Sequence, residues 1–315
     1  MKHVFIVDPK AFREQQWRMD GFLDSIGQYF RTQEKPDFST LFAHYPRDAI
    51  KLIQKQVDEV EPFETVRVYA IGGDDILFDC LNGIAGLPSM ELAIAPYGDD
   101  NSFIRSFGEK KAELFRDIVA LVEADTIPTD MIEVGNMFAI NGCSVGLTAA
   151  IAMKMRDIRA KLSKGISRYA IGFWSFITNL TCLFNKDLIT HNYTITIDDQ
   201  DYSGNYSQIN IVNAPYFGRY KNALAGALPD DGQLDVILFK SVGPLSTLGA
   251  INKYLRGKLP SSCVRVQAKK IEIKSKKPIY IQTDTEYLLD TSITFKLVSS
   301  AIPVVAVNNL VYQGF

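Results

Sequence analysis

The chain lacks the residues on which several common chemistries depend. Its 315 residues hold only four cysteines, Cys80, Cys143, Cys182 and Cys263, and three histidines, His3, His44 and His191. The cysteines stand far apart and form no CxxC pair. That argues against a disulfide framework or a zinc site and fits a reducing cytosol. The scattered histidines give no basis for a His-built metal site or a Ser-His-Asp hydrolase. A basic excess is also missing. The net charge is -2 and the pI about 6.0, unlike the strong positive balance of a nucleic-acid binder. Neither a Walker A loop nor GxGxxG is present, and no internal repeat or low-complexity segment appears. The longest apolar stretch, Ile166 to Phe184, is interrupted by Arg168, Asn179 and several hydroxyls. It falls short of the roughly 20 mostly apolar residues of a spanning helix and reads as a buried or interfacial helix. The opening MKHVFIVDPK has too short an apolar run for a signal peptide and reads as a first buried strand. A cytoplasmic protein is expected.

What is present suits a globular protein with a substantial core. Hydrophobic residues make up 47% and charged residues 22%, and the length favours two domains over one. The first part alternates strand and helix. VFIV (4–7), LFAHY (41–45), VRVYAI (66–71) and LAIAP (92–96) read as strands. Phe22–Phe30, Asp48–Val60 and Asp74–Ala85 read as helices, and another begins at Asn101–Phe107 with Gly108 as its stop. This predicts a mostly parallel, doubly wound sheet. Past about residue 130, FAINGCSVGL (138–147), YTITIDD (193–199), SQINIVN (207–213), LDVILF (234–239), VRVQAKKIEIK (264–274), PIYIQTD (278–284) and SITFKLV (292–298) read as short strands. Helices near 150–185 and 244–256 interrupt them, and AIPVVAV (301–307) reads as a buried strand. An antiparallel sandwich is expected there, packed closely against the first domain, with a cleft between the two and a boundary near Pro128.

Four segments carry candidate chemistry. In VRVYAIGGDDILFDCLNGIAG (66–86), a strand turns through Gly72-Gly73 into a helix. Glycine lets backbone approach a ligand, and the helix N-terminus offers free N–H groups to a phosphate; a plain strand-to-helix turn fits equally. AIAPYGDDNSFIRSFG (93–108) repeats the pattern, and both loops would sit at the carboxyl edge where such sheets bind ligands. Asp100 or Asn101 would also serve as a helix cap. Asp230, Asp231 and Asp235 surround Gly232 as hard oxygen ligands for Mg²⁺ or Ca²⁺, although a hairpin turn is favoured on spacing alone. Asp284 and Glu286, two apart at a strand end, are candidate general bases facing one way. Taken alone, they read better as an exposed acidic turn.

In this order the four segments resemble the diacylglycerol kinase catalytic family, soluble bacterial lipid kinases related to sphingosine and ceramide kinases. The resemblance covers nearly the whole chain. The family's GGDGT loop, with a helix ending in NG, stands here as GGDDI with Asn82-Gly83. Its P-x-G-T-x-N-D-F-x-R loop stands as PYGDDNSFIR, in which Pro96, Gly98, Asn101, Phe103 and Arg105 match. NGCSVGLTAAI, NAPYFGR, DDGQLDV, QTDTE and YPRDA (45–49) resemble further family segments. The resemblance implies an NAD-kinase-like nucleotide domain, residues 1–128 with 300–315 returning to it. It also implies a β-rich lipid and metal domain, residues 129–299, with ATP in the cleft. Carried over by position, Asp284 is the base, with Glu286 beside it. Gly72, Gly73, Asp74, Asp75, Ile76, Gly98, Asp99 and Asn101 would line the nucleotide phosphates. Asp231, with the backbone oxygens of Leu228 and Gln233, would hold Mg²⁺. A lipid substrate at a membrane surface is implied, and a homodimer and peripheral membrane attachment are left open. The helix around Phe173, Trp174 and Phe176 is a candidate acyl pocket or core packing. Lys269, Lys270, Lys274, Lys276 and Lys277 are candidates for anionic lipid heads or a solvated strand face.

The departures from the family fall in the loops. Asp75 and Ile76 replace a glycine and a threonine, Asp99 a threonine, Ser102 an aspartate and Thr285 the glycine of DGE. Two hydroxyl donors are lost and two carboxylates gained. Like charges about 4 Å apart at an effective dielectric of about 20 repel by roughly 4 kcal/mol, about a thousandfold in affinity. A bridging metal would reverse that sign. The leading expectation is an ATP- and Mg²⁺-dependent kinase of diacylglycerol or a similar lipid. Its rivals are a degenerate kinase fold kept for binding or regulation, and a kinase using a soluble polyol or another donor.

Overall fold

The fold is seen in a computed structural model that describes residues 1–12, 16–33, 37–58, 64–98, 100–162, 168–217, 220–221 and 226–313. The first part alternates as β1 (Lys2–Val7), α1 (Gln16–Arg31), β2 (Phe38–Phe42), α2 (Asp48–Val57), β3 (Val66–Gly72), α3 (Asp74–Ile84) and β4 (Met90–Pro96), then α4 (Ile118–Glu123). Next come β5 (Thr126–Val134), β6 (Met137–Ala139), β7 (Gly142–Gly146), α5 (Leu147–Leu162), α6 (Arg168–Leu183) and α7 (Lys186–Ile189). Then follow β8 (His191–Ile197), β9 (Gln200–Asp201), β10 (Gly204–Val212), β11 (Tyr216–Phe217), β12 (Tyr220–Lys221) and β13 (Leu234–Lys240). The last elements are α8 (Pro244–Leu255), β14 (Cys263–Ala268), β15 (Lys270–Thr283) and β16 (Glu286–Val305).

β2, β1, β3 and β4 lie side by side in that order, all parallel. Every residue of β3 is buried, as expected of a strand covered on both faces, and this is why it reads as an unbroken apolar run. Helix α2 closes one flank. Its Ile53 packs so tightly on α3 that a Cβ at Gly83 would lie 3.0 Å from Ile53 Cδ1. The later strands pair antiparallel: β10 with β7, β8 and β13, and β15 with β7, β8 and β16. They form a β-sandwich whose core holds Val145, Ile195, Ile211, Leu238, Ile273 and Phe295. A separate cluster fills the parallel part and includes Ile302, Val304, Val305 and Tyr312 from the end of the chain.

Several elements differ from expectation. β2 covers 38–42 rather than 41–45, and α2 ends at Val57, residues 59–60 lying outside the described set. The helix expected from Asn101 is a single 3-10 turn, Phe103–Phe107, stopped by Gly108 at φ 119°. The strand expected over 138–147 breaks at Ile140-Asn141, because those N–H groups bond Asp284. The strands expected at 292–298 and 301–307 are one strand, β16, bulged between Val298 and Ile302 around Ser300 at φ 48°. Pro128, read as a boundary, lies inside β5 directly opposite Pro303 of β16. Two residues without an N–H thus face each other, so this rung has no backbone donor on either strand. β16 also touches β4, pairing Val304 with Leu92 in parallel, which fuses both sheets. No helix among the described residues is long and apolar enough to cross a membrane.

Candidate active site

Gly72 and Pro96 are register partners at the carboxyl ends of β3 and β4, so the two loops leave the sheet side by side. They lock together through backbone. Tyr97 N and Gly98 N donate to Gly72 O at 3.0 and 2.9 Å, and Asp74 N donates to Asp100 O at 2.8 Å. A Cβ on Gly98 would lie 2.5 Å from Gly73 N, and one on Gly73 would lie 3.0 Å from Asp100 O. Both glycines are therefore required by loop meeting loop. Gly72, at φ 157°, lies beneath Ile76, whose Cγ2 would be 2.8 Å from an added Cβ.

The side chains of the first loop diverge. The carboxylate of Asp74 accepts Ser102 N at 2.8 Å and Ser102 Oγ at 2.5 Å, so it staples the second loop. Burial raises its pKa against the pull of those bonds. Ile76 is 5% exposed and fills the floor above Gly72. Asp75 is solvent-exposed, yet partial desolvation and then the charges of Asp8, Glu286 and Asp100 raise its pKa. In the second loop Asn101 Nδ2 donates to Gly98 O at 2.5 Å. Asp99 lies outside the described residues.

Asp284 occupies the turn between β15 and β16 at φ 39°. Its carboxylate accepts Ile140 N at 2.8 Å, Asn141 N at 3.1 Å and Gly142 N at 3.0 Å. Burial pushes its pKa up to about 7; the three N–H donors pull it down, and the charge of Asp74 pushes it up again. Glu286 does not share its direction. Because Asp284 sits in a turn, strand alternation does not relate the two. Glu286 instead faces Arg47 Nη2 at 3.2 Å and Arg156 Nη1 at 3.9 Å. Arg47, at the N-cap of α2 with φ 69°, also donates its backbone N to Asp79 Oδ2 at 2.7 Å and its Nη1 to Asp79 Oδ1 at 3.1 Å. Arg47, Asp79 and Arg156 were not singled out from the sequence. The one hint was the position of Arg47 within YPRDA.

The acidic turn at 228–235 is a loop entering β13, not a hairpin. Its organiser is Asp130 of β5, also missed, whose carboxylate accepts Gly232 N at 2.8 Å and Ser300 N at 2.7 Å. Asp235 is committed to Arg265 at 2.8 and 3.1 Å. Asp231 Oδ1 accepts Gln233 N at 3.0 Å, and burial followed by neighbouring carboxylates raises the pKa of both Asp230 and Asp231. Among the described residues no three His, Cys, Asp or Glu side chains gather as a metal cluster. The donor set of Asp231 with the carbonyls of Leu228 and Gln233 therefore fits a largely hydrated Mg²⁺ rather than a protein-caged one.

Comparison with known proteins gives this arrangement a lineage. Residues 2–134 match the diacylglycerol kinase catalytic domain, and residues 144–306, more than half the chain, match the YegS C-terminal NAD kinase beta sandwich-like domain. The chain belongs to the diacylglycerol kinase-like lipid kinase family. A Staphylococcus aureus (strain JH9) protein named "Putative lipid kinase" is 25% identical over 253 residues, 77% of this chain and 78% of that one. A relative of the same name from strain Newman shows the same identity and coverage. A solved structure described as a "putative diacylglycerol kinase" of Bacillus anthracis str. Sterne superposes with a TM-score of 0.73 at 23% identity, covering 98% of this chain and 96% of that one. That likeness is one of fold. As a lipid kinase family member, the chain has an enzyme's ancestry, with a nucleotide as the implied co-substrate.

Proposed function

We propose that the protein transfers the γ-phosphate of ATP to a hydroxyl of diacylglycerol or a similar lipid, with Mg²⁺, in the cytoplasm at a membrane surface. One observation carries the reading. Asp284, with its pKa raised to about 7, sits within reach of the charge of Asp74 on the nucleotide-loop side. A base titrating near neutrality combines sufficient ionisation with useful basicity. Phosphoryl transfer otherwise demands mainly positioning and charge neutralisation. The lipid hydroxyl gives its proton to Asp284 as its oxygen forms the new bond to the γ-phosphorus, and the bond to ADP breaks. The N–H groups of 140–142 fix the carboxylate's orientation, and Arg47 and Arg156 hold Glu286 beside it. Residues 1–128 with 300–315 would carry the nucleotide and 129–299 the acceptor. Mg²⁺ would be held by Asp231 and the carbonyls of Leu228 and Gln233, where it supplies positive charge to the acidic loop.

A second reading has its own observation. Ile76 covers Gly72, and Asp75 joins Asp8, Asp100 and Glu286 in an acidic group beside the expected phosphates. That arrangement favours a fold kept for binding or regulation. Radiolabelled transfer to extracted lipids, tried with ATP and other triphosphates, separates the two. No transfer by intact protein removes the kinase reading.

A further inference from the structure

Helix α6 is apolar on both sides. Its inner side places Cys182 and Leu183 in a cluster with Leu147 and Ala150 of α5 and Leu188 and Ile189 of α7. On its outer side Phe176 is 63% exposed, and Leu180 and Phe184, at steps of four, are also exposed. A water-facing helix normally places polar residues there. Ile251 of α8 packs on the same buried cluster, so α6 and α8 share one patch of core. The outer side of α8 repeats the pattern, with Leu245 75% exposed and Leu248 exposed beside it.

The charge pattern indicates what covers these outer sides. Between Ile158 and Lys186 the chain has no Asp or Glu but holds Arg159, Lys161, Lys164, Arg168 and Lys186. Between Val236 and Ile271 it again has none, with Lys253, Arg256 and Lys258 clustered at the end of α8. Those three and Lys186 are exposed. In a chain of net charge -2, such acid-free stretches are a local asymmetry. A dimer partner bearing the same face would bring like charges together. An anionic surface would neutralise them and bury the leucine and phenylalanine side chains.

We propose that the outer face of α6 and α8 docks onto a bilayer carrying anionic lipid, with Phe176, Leu180, Phe184, Leu245 and Leu248 entering the interface. Lys253, Arg256 and Lys258 lie against the headgroups. The proposal deepens the lipid-kinase reading by naming the face that meets the lipid, but vesicle binding is measured without catalysis. The probe is co-sedimentation with phosphatidylcholine vesicles, with and without phosphatidylglycerol. Wild type binds the phosphatidylglycerol vesicles and releases on added salt. Leu180→Ser with Phe184→Ser, and Leu245→Ser with Leu248→Ser, each weaken binding at least tenfold. Reversing Lys253, Arg256 and Lys258 to Glu weakens it on the order of a hundredfold. These surface variants keep wild-type circular dichroism and phosphorylate lipid presented in detergent micelles. Transfer in micelles with no vesicle binding by wild type overturns the docking face alone. Vesicle binding with no transfer leaves the face standing and overturns the kinase reading. Folded variants that bind like wild type overturn the proposal. So does a wild-type dimer in light scattering that the leucine substitutions dissolve, because the occupant would then be a second copy.

Discussion

Arg47 Nη2 lies 3.2 Å from Glu286 Oε1, tying the N-terminus of α2 to the strand that begins just after Asp284. Arg47 is anchored on its other side by Asp79 at 3.1 Å, and its guanidinium lies 4.6 Å from the Phe78 ring centroid. The hairpin bearing the proposed base is thereby referenced to the first half of the chain. Arg47→Ala is expected to lower kcat by about tenfold with a smaller change in KM. Both partners are about a third exposed, so a double-mutant cycle with Glu286→Gln should give only about 0.5–1 kcal/mol of coupling in urea unfolding. Additive single effects would show that the pair does not hold the hairpin.

The raised pKa of Asp284 predicts two opposite pH trends. Activity requires the ionised carboxylate, so kcat/KM should climb as pH rises through about 7. Stability runs the other way. A carboxyl whose folded pKa lies above its unfolded value stabilises fully below the unfolded value, and that contribution is lost as pH rises through the folded one. Asp284→Asn removes the ionisation, so its unfolding midpoint should gain on wild type between about pH 4 and pH 7. A constant difference across that range would place the Asp284 pKa elsewhere.

Asp75, already crowded by the charges of Asp8, Glu286 and Asp100, would oppose a triphosphate bound at these loops. Removing it as Asp75→Gly should tighten ATP binding in calorimetry by ten- to a thousandfold, the upper bound set by roughly 4 kcal/mol of repulsion. Adding Asp99→Thr should tighten it further. Unchanged affinity would mean that a cation already neutralises the loop.

Gly98 has no room for a side chain. Its added Cβ would meet Gly73 N at 2.5 Å and Gly73 Cα at 2.6 Å, both backbone atoms. Gly98→Ala should therefore cost about 2–4 kcal/mol of stability and weaken nucleotide binding through the parted loops. A variant with wild-type denaturation would contradict the loop-to-loop contact.

The sequence displayed elements whose cause is local. β3 shows as a buried run, Gly72-Gly73 as a bend and α3 as the helix after it, because apolar burial and glycine geometry are written in adjacent residues. β16 was hidden. It read as two strands, 292–298 and 301–307, and the pairing with β5 that carries it through the bulge at Ser300 joins residues far apart in the chain. The site divides in the same way. Asp284 was found by its family segment, but its contact with the 140–142 backbone requires a strand break that alternation alone does not reveal. Asp130 and Arg47 act through partners distant in sequence, so neither leaves a local pattern. Asp74 was read as a phosphate-loop residue, while its bond to Ser102 gives it a loop-joining task that spacing did not suggest.

The central claim is that Asp284 is the base of a lipid-phosphorylating enzyme. Its most direct test is transfer of labelled γ-phosphate from ATP to diacylglycerol in mixed micelles, comparing wild type with Asp284→Ala under saturating Mg²⁺. The account predicts labelled phosphatidic acid from wild type, and a loss of at least about a hundredfold in the variant with its fold intact by circular dichroism. Equal transfer by both proteins would contradict the role given to Asp284, and no transfer by either would contradict the activity itself.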